Sequence, residues 1–273
     1  MSKRNRNSID YQEFRDDVTF YMCGIKLRGV RPENLFRELK SGIKLESGSC
    51  CIRFVNAYSL SVSERQEGYK DVLNGPGINV PDSATIVKLA KLTFPRIGKN
   101  VTQLRGTNFL RYVLANSEKE IRHVFLGANS ATLTMLQDNL EENFPAANLG
   151  EFIPLPYSED IDFLIKNIMN LYRPRQNDII WIGLGTPKQD LISSRLSAML
   201  NKPAIGVGAA FDFLSGRISE APQFIIKLNL EWLYRLITEP KRLWKRYLIE
   251  NVHFLLVWLR MLQRDIRQTK DRK

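Results

Sequence analysis

The chain has 273 residues, of which 44% are hydrophobic and 25% charged, and it carries a formal net charge of +11. That length can bury a large core and allows one or two domains of about 100–200 residues, and the composition excludes a disordered chain except at the two polar, basic ends. The longest apolar run near the C-terminus, Phe254 to Leu259, stops at Arg260 and falls far short of the roughly 20 residues that a spanning helix needs, so no membrane span is expected.

Residues 1–17 read as a flexible basic N-terminus, and the absence of an apolar h-region argues against a secretory signal. Cys23, Cys50 and Cys51 match neither a disulfide framework nor zinc-ligand spacing, which suits inert or core-facing thiols in a reducing cytosol. Cys51 to Val55 and Lys70 to Leu73 read as strands, each followed by a turn, Asn56-Ala57 and Asn74-Gly75-Pro76-Gly77. His123 to Leu126 leads through Gly127 into a helical pattern from Ala131 to Phe144, the first clear strand-helix unit. The second is the most informative stretch of the chain. Asp178 to Ile182 is a short apolar run of the kind a parallel sheet buries on both faces, and Gly183-Leu184-Gly185 then lets the backbone turn close to a ligand. Thr186 is placed to cap the following helix, with Pro187 at its first position, so that free amides of the first turn face an anion above the strand. Thr186 to Gln189 also fits a capping box, which would leave Gln189 a purely structural task.

Pro203 to Gly208 begins a third unit, and sheet signals stop near Gly216 to Pro222. Beyond Gln223 there are twelve Lys or Arg against five Asp or Glu, interleaved with Trp232, Tyr234, Trp244, Tyr247, Phe254 and Trp258. Aromatic and basic residues on helical segments suit the boundary of an anionic membrane, and suit nucleic acid less well because of the aliphatic content. The alternation of strands and helices predicts an open α/β sheet with ligand loops at the carboxyl ends of its strands. Two openings of a dinucleotide glycine pattern, at Gly183 and Gly206, lack the third glycine and the ribose-reading acid, which weakens an oxidoreductase reading.

Three motifs, GLGTPKQD (Gly183 to Asp190), GVGAAFDFLSG (Gly206 to Gly216) and LEWLYRLITEPKRLWKRY (Leu230 to Tyr247), closely resemble the WecG/TagA/CpsF family of bacterial glycosyltransferases. Weaker echoes are FVNAYS (Phe54 to Ser59), LRGTNF (Leu104 to Phe109) and VFLGAN (Val124 to Asn129), so the resemblance spans roughly Val18 to Phe254. It implies a Rossmann-like, mostly parallel sheet flanked by helices over 18–221, with a basic amphipathic helical appendage over 222–273 for membrane association. It implies an inverting transfer of a hexose, of the ManNAc, glucose or glucuronic acid type, from a UDP-sugar to an undecaprenyl-diphosphate-linked sugar. No metal and no cofactor are expected, the protein lying on the inner, cytoplasmic face of the plasma membrane without nucleic acid as a partner.

Carried over residue by residue, the resemblance assigns donor binding to Asn56, Arg105, Thr107, Gly183, Gly185, Lys188, Gln189 and Phe211. Lipid-diphosphate binding falls to Arg235, Arg242, Lys245 and Arg246. The family's Asp-Gly, in the loop after the second strand, is read here at Asn74-Gly75, and Asn74 cannot accept a proton. Asp82 and Asp212 are then the candidate bases, and Asn108 and Glu220 stand where the family carries Asp and Arg. These replacements leave open a catalytically impaired homologue that only binds.

Overall fold

The computed structural model describes residues 17–44 and 51–270; Cys50 and all but the last residue of the 1–17 N-terminus lie outside the described residues. The chain opens with β1 (Val18–Met22) and β2 (Ile25–Gly29), an antiparallel hairpin that sequence reading missed. Their alternating burial puts Val18, Phe20 and Met22 inward, and Cys23 and Gly24 both adopt positive φ, as a two-residue turn of matching twist requires. Helix α1 (Pro32–Lys44) follows.

The sheet begins at β3 (Cys51–Val55), then come α2 (Ala57–Ser63), α3 (Tyr69–Asn74), β4 (Ile78–Pro81), α4 (Ala84–Thr93) and α5 (Gly106–Asn116). Next are β5 (Arg122–Gly127), α6 (Ser130–Asn143), β6 (Asn148–Ile153), α7 (Ile161–Leu171), β7 (Asp178–Gly183), α8 (Lys188–Leu200), β8 (Ala204–Gly206) and α9 (Ala210–Leu214). Six strands form one sheet in the order β4-β3-β8-β7-β5-β6, every neighbouring pair parallel. The expected parallel α/β architecture is therefore present. The strand expected at Lys70 to Leu73 is instead helix α3, and the true strand lies a few residues later at β4. Tyr69 and Leu73 are buried at helical spacing, i and i+4, a period that a four-residue apolar run cannot reveal.

Successive residues of the central strands serve opposite layers. Phe125, Ile179 and Trp181 pack with α1, α5, α6 and α9, whereas Val124, Leu126, Ile180 and Ile182 pack with α7 and α8. A third cluster joins the hairpin to α2, α3 and α4.

The remaining chain is helical: α10 (Gln223–Lys227), α11 (Glu231–Thr238), α12 (Pro240–Trp244), a π-helical stretch at Lys245–Glu250, and α13 (Asn251–Lys270). It does not hang free. Phe254 is fully buried in the hairpin cluster, Trp258 Nε1 donates to Thr93 Oγ1 at 3.0 Å, and Ser61 Oγ donates to Glu250 Oε2 at 2.7 Å. No helix among the described residues is long and apolar enough to cross a membrane.

His123 sits on β5, between β7 and the edge strand β6, fully buried, accepting the Trp181 indole N–H at Nδ1 (3.1 Å) with Nε2 3.0 Å from Ser117 Oγ. Burial holds its pKa down at about 3, outweighing the opposing pull of Asp178. The unfolded chain takes up this proton near pH 6.5 and the folded chain does not, so the contribution is intact above that pH and is lost as pH falls toward the folded value. Between pH 7.5 and 5 the unmodified chain is expected to lose about 2 kcal/mol more stability than His123→Gln, measured by urea unfolding. Equal losses would contradict a neutral buried imidazole.

Candidate active site

A cavity of about 430 Å³ opens at the carboxyl edge of the sheet. Asn56, Asp82, Ala128, Leu184 and Val207, which line it, each follow the end of a strand: β3, β4, β5, β7 and β8 in turn. Parallel strands bring those ends to one side, and residues of α10, α11, α12 and the π-helical stretch close the cavity from above.

The glycine loop after β7 behaves as expected in outline and differs in its details. A Cβ on Gly183 would stand 2.2 Å from Phe211 Cδ2, so only glycine lets that ring pack against the strand end. Phe211 itself is a buried core residue, its ring 5.8 Å from Phe125, and it borders the cavity as a wall. A Cβ on Gly185 meets nothing within 4 Å, in keeping with its place on the cavity rim. Helix α8 starts at Lys188 with Pro187 as its N-cap after a cis Thr186–Pro187 bond, so Thr186 does not cap it and Pro187 is one position earlier than expected. The capping box does not form either. Gln189 turns inward, 3% exposed, against Gly206 and Gly208, and its Oε1 has no partner. Such a buried acceptor, at the edge of a cavity, is set to receive a donor from a ligand. Lys188 is already engaged: its Nζ bonds Ser158 O (2.9 Å) and Glu159 Oε1 (2.8 Å) and lies 4.9 Å over the Tyr157 ring. Lys188 therefore ties the loop after β6 to the start of α8 while still lining the cavity.

Across the cavity, Asp82 follows β4 directly, and its Oδ1 accepts the Gly106 N–H at the start of α5 (3.2 Å). Burial raises its pKa, opposed by Arg105, the Gly106 amide, Arg246 and the Asn56 side chain. Asn56 also caps α2 through Ser59 N at 3.2 Å, so it combines a structural bond with a place on the cavity wall. Thr107 is buried in the first turn of α5 and borders the same space. Arg105 is not free: Nη2 bonds Glu231 Oε1 at 2.6 Å, and Nη1 lies 3.9 Å from Glu220. Asp212 lines the opposite wall, 3.6 Å from Arg217, its pKa raised by burial.

Of the four expected cations in the C-terminal helices, three face the cavity. Arg235 lies 5.3 Å over Phe213 and near Glu239, and Arg242 pairs with Glu239 at 2.5 Å. The guanidinium of Arg246 lies 4.7 Å over the Tyr58 ring, and no carboxylate among the described residues forms an ion pair with it. Lys245 stands apart from the other three: it is exposed, set 5.6 Å over Trp244, and does not line the cavity. Adjacent residues of a helix point to different sides, so Arg246 faces the cavity while Lys245 does not. Trp232 and Tyr247 face the cavity, Phe254 is core and Trp258 is bonded to Thr93, so this aromatic set is not one membrane face.

Asn74 does not line the cavity either. It ends α3, exposed, with Nδ2 bonded to Gly24 O at 3.1 Å, and it precedes β4 instead of following it. The residue after the second strand of the sheet is Asp82, so Asn74 does not stand in the loop after that strand, where the sequence reading placed it. Asn108 points outward and Glu220 pairs with Arg111 at 2.6 Å. Sequence reading did not single out Tyr58, Gln103, Asn229 or Glu231, all on the cavity wall. Only the position of Glu231 beside Trp232, in the Leu230 to Tyr247 motif, offered a signal.

Similarity to known proteins bears on this geometry. Two relatives carry the name N-acetylglucosaminyldiphosphoundecaprenol N-acetyl-beta-D-mannosaminyltransferase. The one from Bacillus subtilis (strain 168) is 29% identical over 200 residues, 72% of this chain and 74% of the relative. The one from Bacillus spizizenii (strain ATCC 23059 / NRRL B-14472 / W23) is 27% identical over 183 residues, 66% and 67% of the two chains. The pattern described as the glycosyl transferase WecG/TagA/CpsF family matches residues 20–268, taking in both the sheet and the helices that roof the cavity, and the chain belongs to that family of glycosyltransferases.

Proposed function

We propose that the chain moves a hexose with inversion from a UDP-sugar to an undecaprenyl-diphosphate-linked sugar, without metal, on the inner face of a bacterial plasma membrane. The observation that carries this reading is the meeting, in one cavity, of a helix N-terminus, the half-buried carboxylate of Asp82 and an arginine with no carboxylate partner. Asp82 takes the proton of the acceptor hydroxyl as its oxygen bonds to the anomeric carbon. The bond from that carbon to UDP breaks, and UDP leaves with the electron pair. Amides at the start of α8 and the guanidinium of Arg246 stabilise the departing diphosphate. Gln189 and Asn56 fix the donor, and Arg242 and Arg235 face the acceptor's diphosphate. The impaired-homologue reading rested on Asn74, Asn108 and Glu220, none of which lines the cavity. The relatives' names favour a mannosaminyl donor and an N-acetylglucosamine acceptor.

UDP release from UDP-ManNAc, with a short-chain polyprenyl-diphosphate N-acetylglucosamine as acceptor, tests the reading. Release that requires the acceptor supports it. No release with ManNAc, glucose or glucuronic acid donors, together with no UDP binding by calorimetry, overturns it.

Membrane contact is assigned to the outward side of the C-terminal helices. While Phe254 and Trp258 turn inward, Leu248, Ile249, Val252, Leu255, Leu256 and Leu259 stay exposed beside Lys241, Lys245 and Arg260. A helix apolar on both faces has a second surface to cover, and each cation adds on the order of 1 kcal/mol near anionic lipid. Cosedimentation with phosphatidylglycerol vesicles is expected at low salt and is expected to fall several-fold in Lys241→Glu/Lys245→Glu. Unchanged sedimentation would place the contact elsewhere.

A further inference from the structure

The roof of the cavity carries side chains for which a diphosphate has no use. Trp232 and Tyr247 form a tilted aromatic pair, ring centroids 6.1 Å apart, and both line the cavity; Trp232 remains 40% exposed. Beside them stand Asn229 and Glu231, with Gln103 also on the cavity wall. Asn229 adopts a positive φ of 59° at the end of α10, a backbone state that asparagine tolerates, and α11 then begins at Glu231. Aromatic rings left open in a concave site, next to carboxylate and amide groups, suit a pyranose. One face of a sugar ring is all C–H and packs on an aromatic plane, while its edge hydroxyls donate to a carboxylate that can only accept.

Position supports the match. Glu231 Oε1 holds Arg105 at 2.6 Å, and Arg105 and Glu231 each lie close enough to Asp82 to shift its titration or be shifted by it. A ring resting on Trp232 with a hydroxyl on Glu231 thus lies next to the proposed base. Asp82 and Glu231 both line the cavity, and Glu220, outside the lining, pairs with Arg105 and Arg111 behind it. A sugar carboxylate set against Glu231 would meet a like charge at contact distance, which disfavours a uronic acid at this position.

We propose that Trp232, Tyr247, Asn229 and Glu231 form the subsite for the acceptor's sugar ring, and that this subsite selects a neutral hexose or N-acetylhexosamine over a uronic acid. The proposal rests on the transferase reading above and adds a division of labour. The ring is recognised by the aromatic pair and Glu231, and the diphosphate by the arginines.

Calorimetric binding without donor separates the two ideas, because it does not depend on turnover. The probes are geranyl-diphosphate N-acetylglucosamine, its glucuronic acid analogue and sugarless geranyl diphosphate. Trp232→Ala is expected to weaken the N-acetylglucosamine probe about 10-fold or more and the sugarless probe less than about 2-fold, with Trp232→Phe recovering part of the loss. Unmodified chain is expected to bind the glucuronic acid probe about 10-fold more weakly than the neutral one, and Glu231→Gln is expected to narrow that gap. Equal loss for sugar-bearing and sugarless probes in Trp232→Ala, or no loss, overturns the subsite and leaves the transferase reading standing. Binding of none of the three probes by the unmodified chain overturns the transferase reading and the subsite with it. Trp232 is half exposed, and thermal unfolding of each variant near the unmodified value confirms that binding is what changed.

Discussion

Asp82→Asn is expected to lower kcat by about 10²–10⁴-fold with UDP affinity nearly unchanged. The substitution is conservative for structure. Asn keeps the oxygen that accepts the Gly106 N–H and the volume between β4 and α5, and loses only the ability to take a proton. The pH dependence should carry the same signature. A base must be ionised to work, so kcat/KM falls as pH drops through its pKa, and burial places that acid limb above the ordinary carboxylate range. Asp212→Asn, beside Arg217 on the far wall, is expected to cost much less, and Asn74→Asp is expected to change activity less than about twofold because Asn74 bonds Gly24 away from the cavity. Full activity in Asp82→Asn, measured by UDP release, would place the base elsewhere.

Phe254→Ala is expected to cost about 3–5 kcal/mol of stability, the usual penalty for emptying a fully buried aromatic site. The ring fills the cluster made by Phe20, Met22 and Ile25 of the hairpin, Leu60 of α2 and Ile86 of α4. Removing everything after Pro222 opens that cluster and deletes the Glu250 contact to Ser61 and the Trp258 contact to Thr93 as well. The truncated chain is therefore expected to lose cooperative unfolding, and a survey of its lipid binding would report damage to the fold. Urea unfolding of Phe254→Ala, compared with Leu256→Ala on the exposed side of α13, checks the argument; equal costs would mean that α13 is not anchored by its inward face.

The sequence alone was enough for the sheet's central strands, the glycine loop and the helices after them, because buried parallel strands are continuous apolar runs and glycine marks a close approach regardless of context. Hydrophobic residues at Asp178 to Ile182 and the glycines at Gly183 and Gly185 carried that much without any partner. The family was legible for the same reason, since its motifs are contiguous. The hairpin, β4 and β6 were not, being short or half-polar, and α3 passed for a strand because four residues cannot distinguish a period of 2 from one of 3.6. That single ambiguity put the loop after the second strand at Asn74, whereas the residue that follows β4 is Asp82, one of the two candidate bases. Whether a cation faces the cavity was likewise decided only in three dimensions: Arg246 turns inward while the adjacent Lys245 turns out, and Arg105 is held by Glu231 from 126 residues away. Local pattern determines an element's type, but which side chains converge depends on where the elements pack, and the carboxyl edge becomes a site only when the C-terminal helices fold back over it.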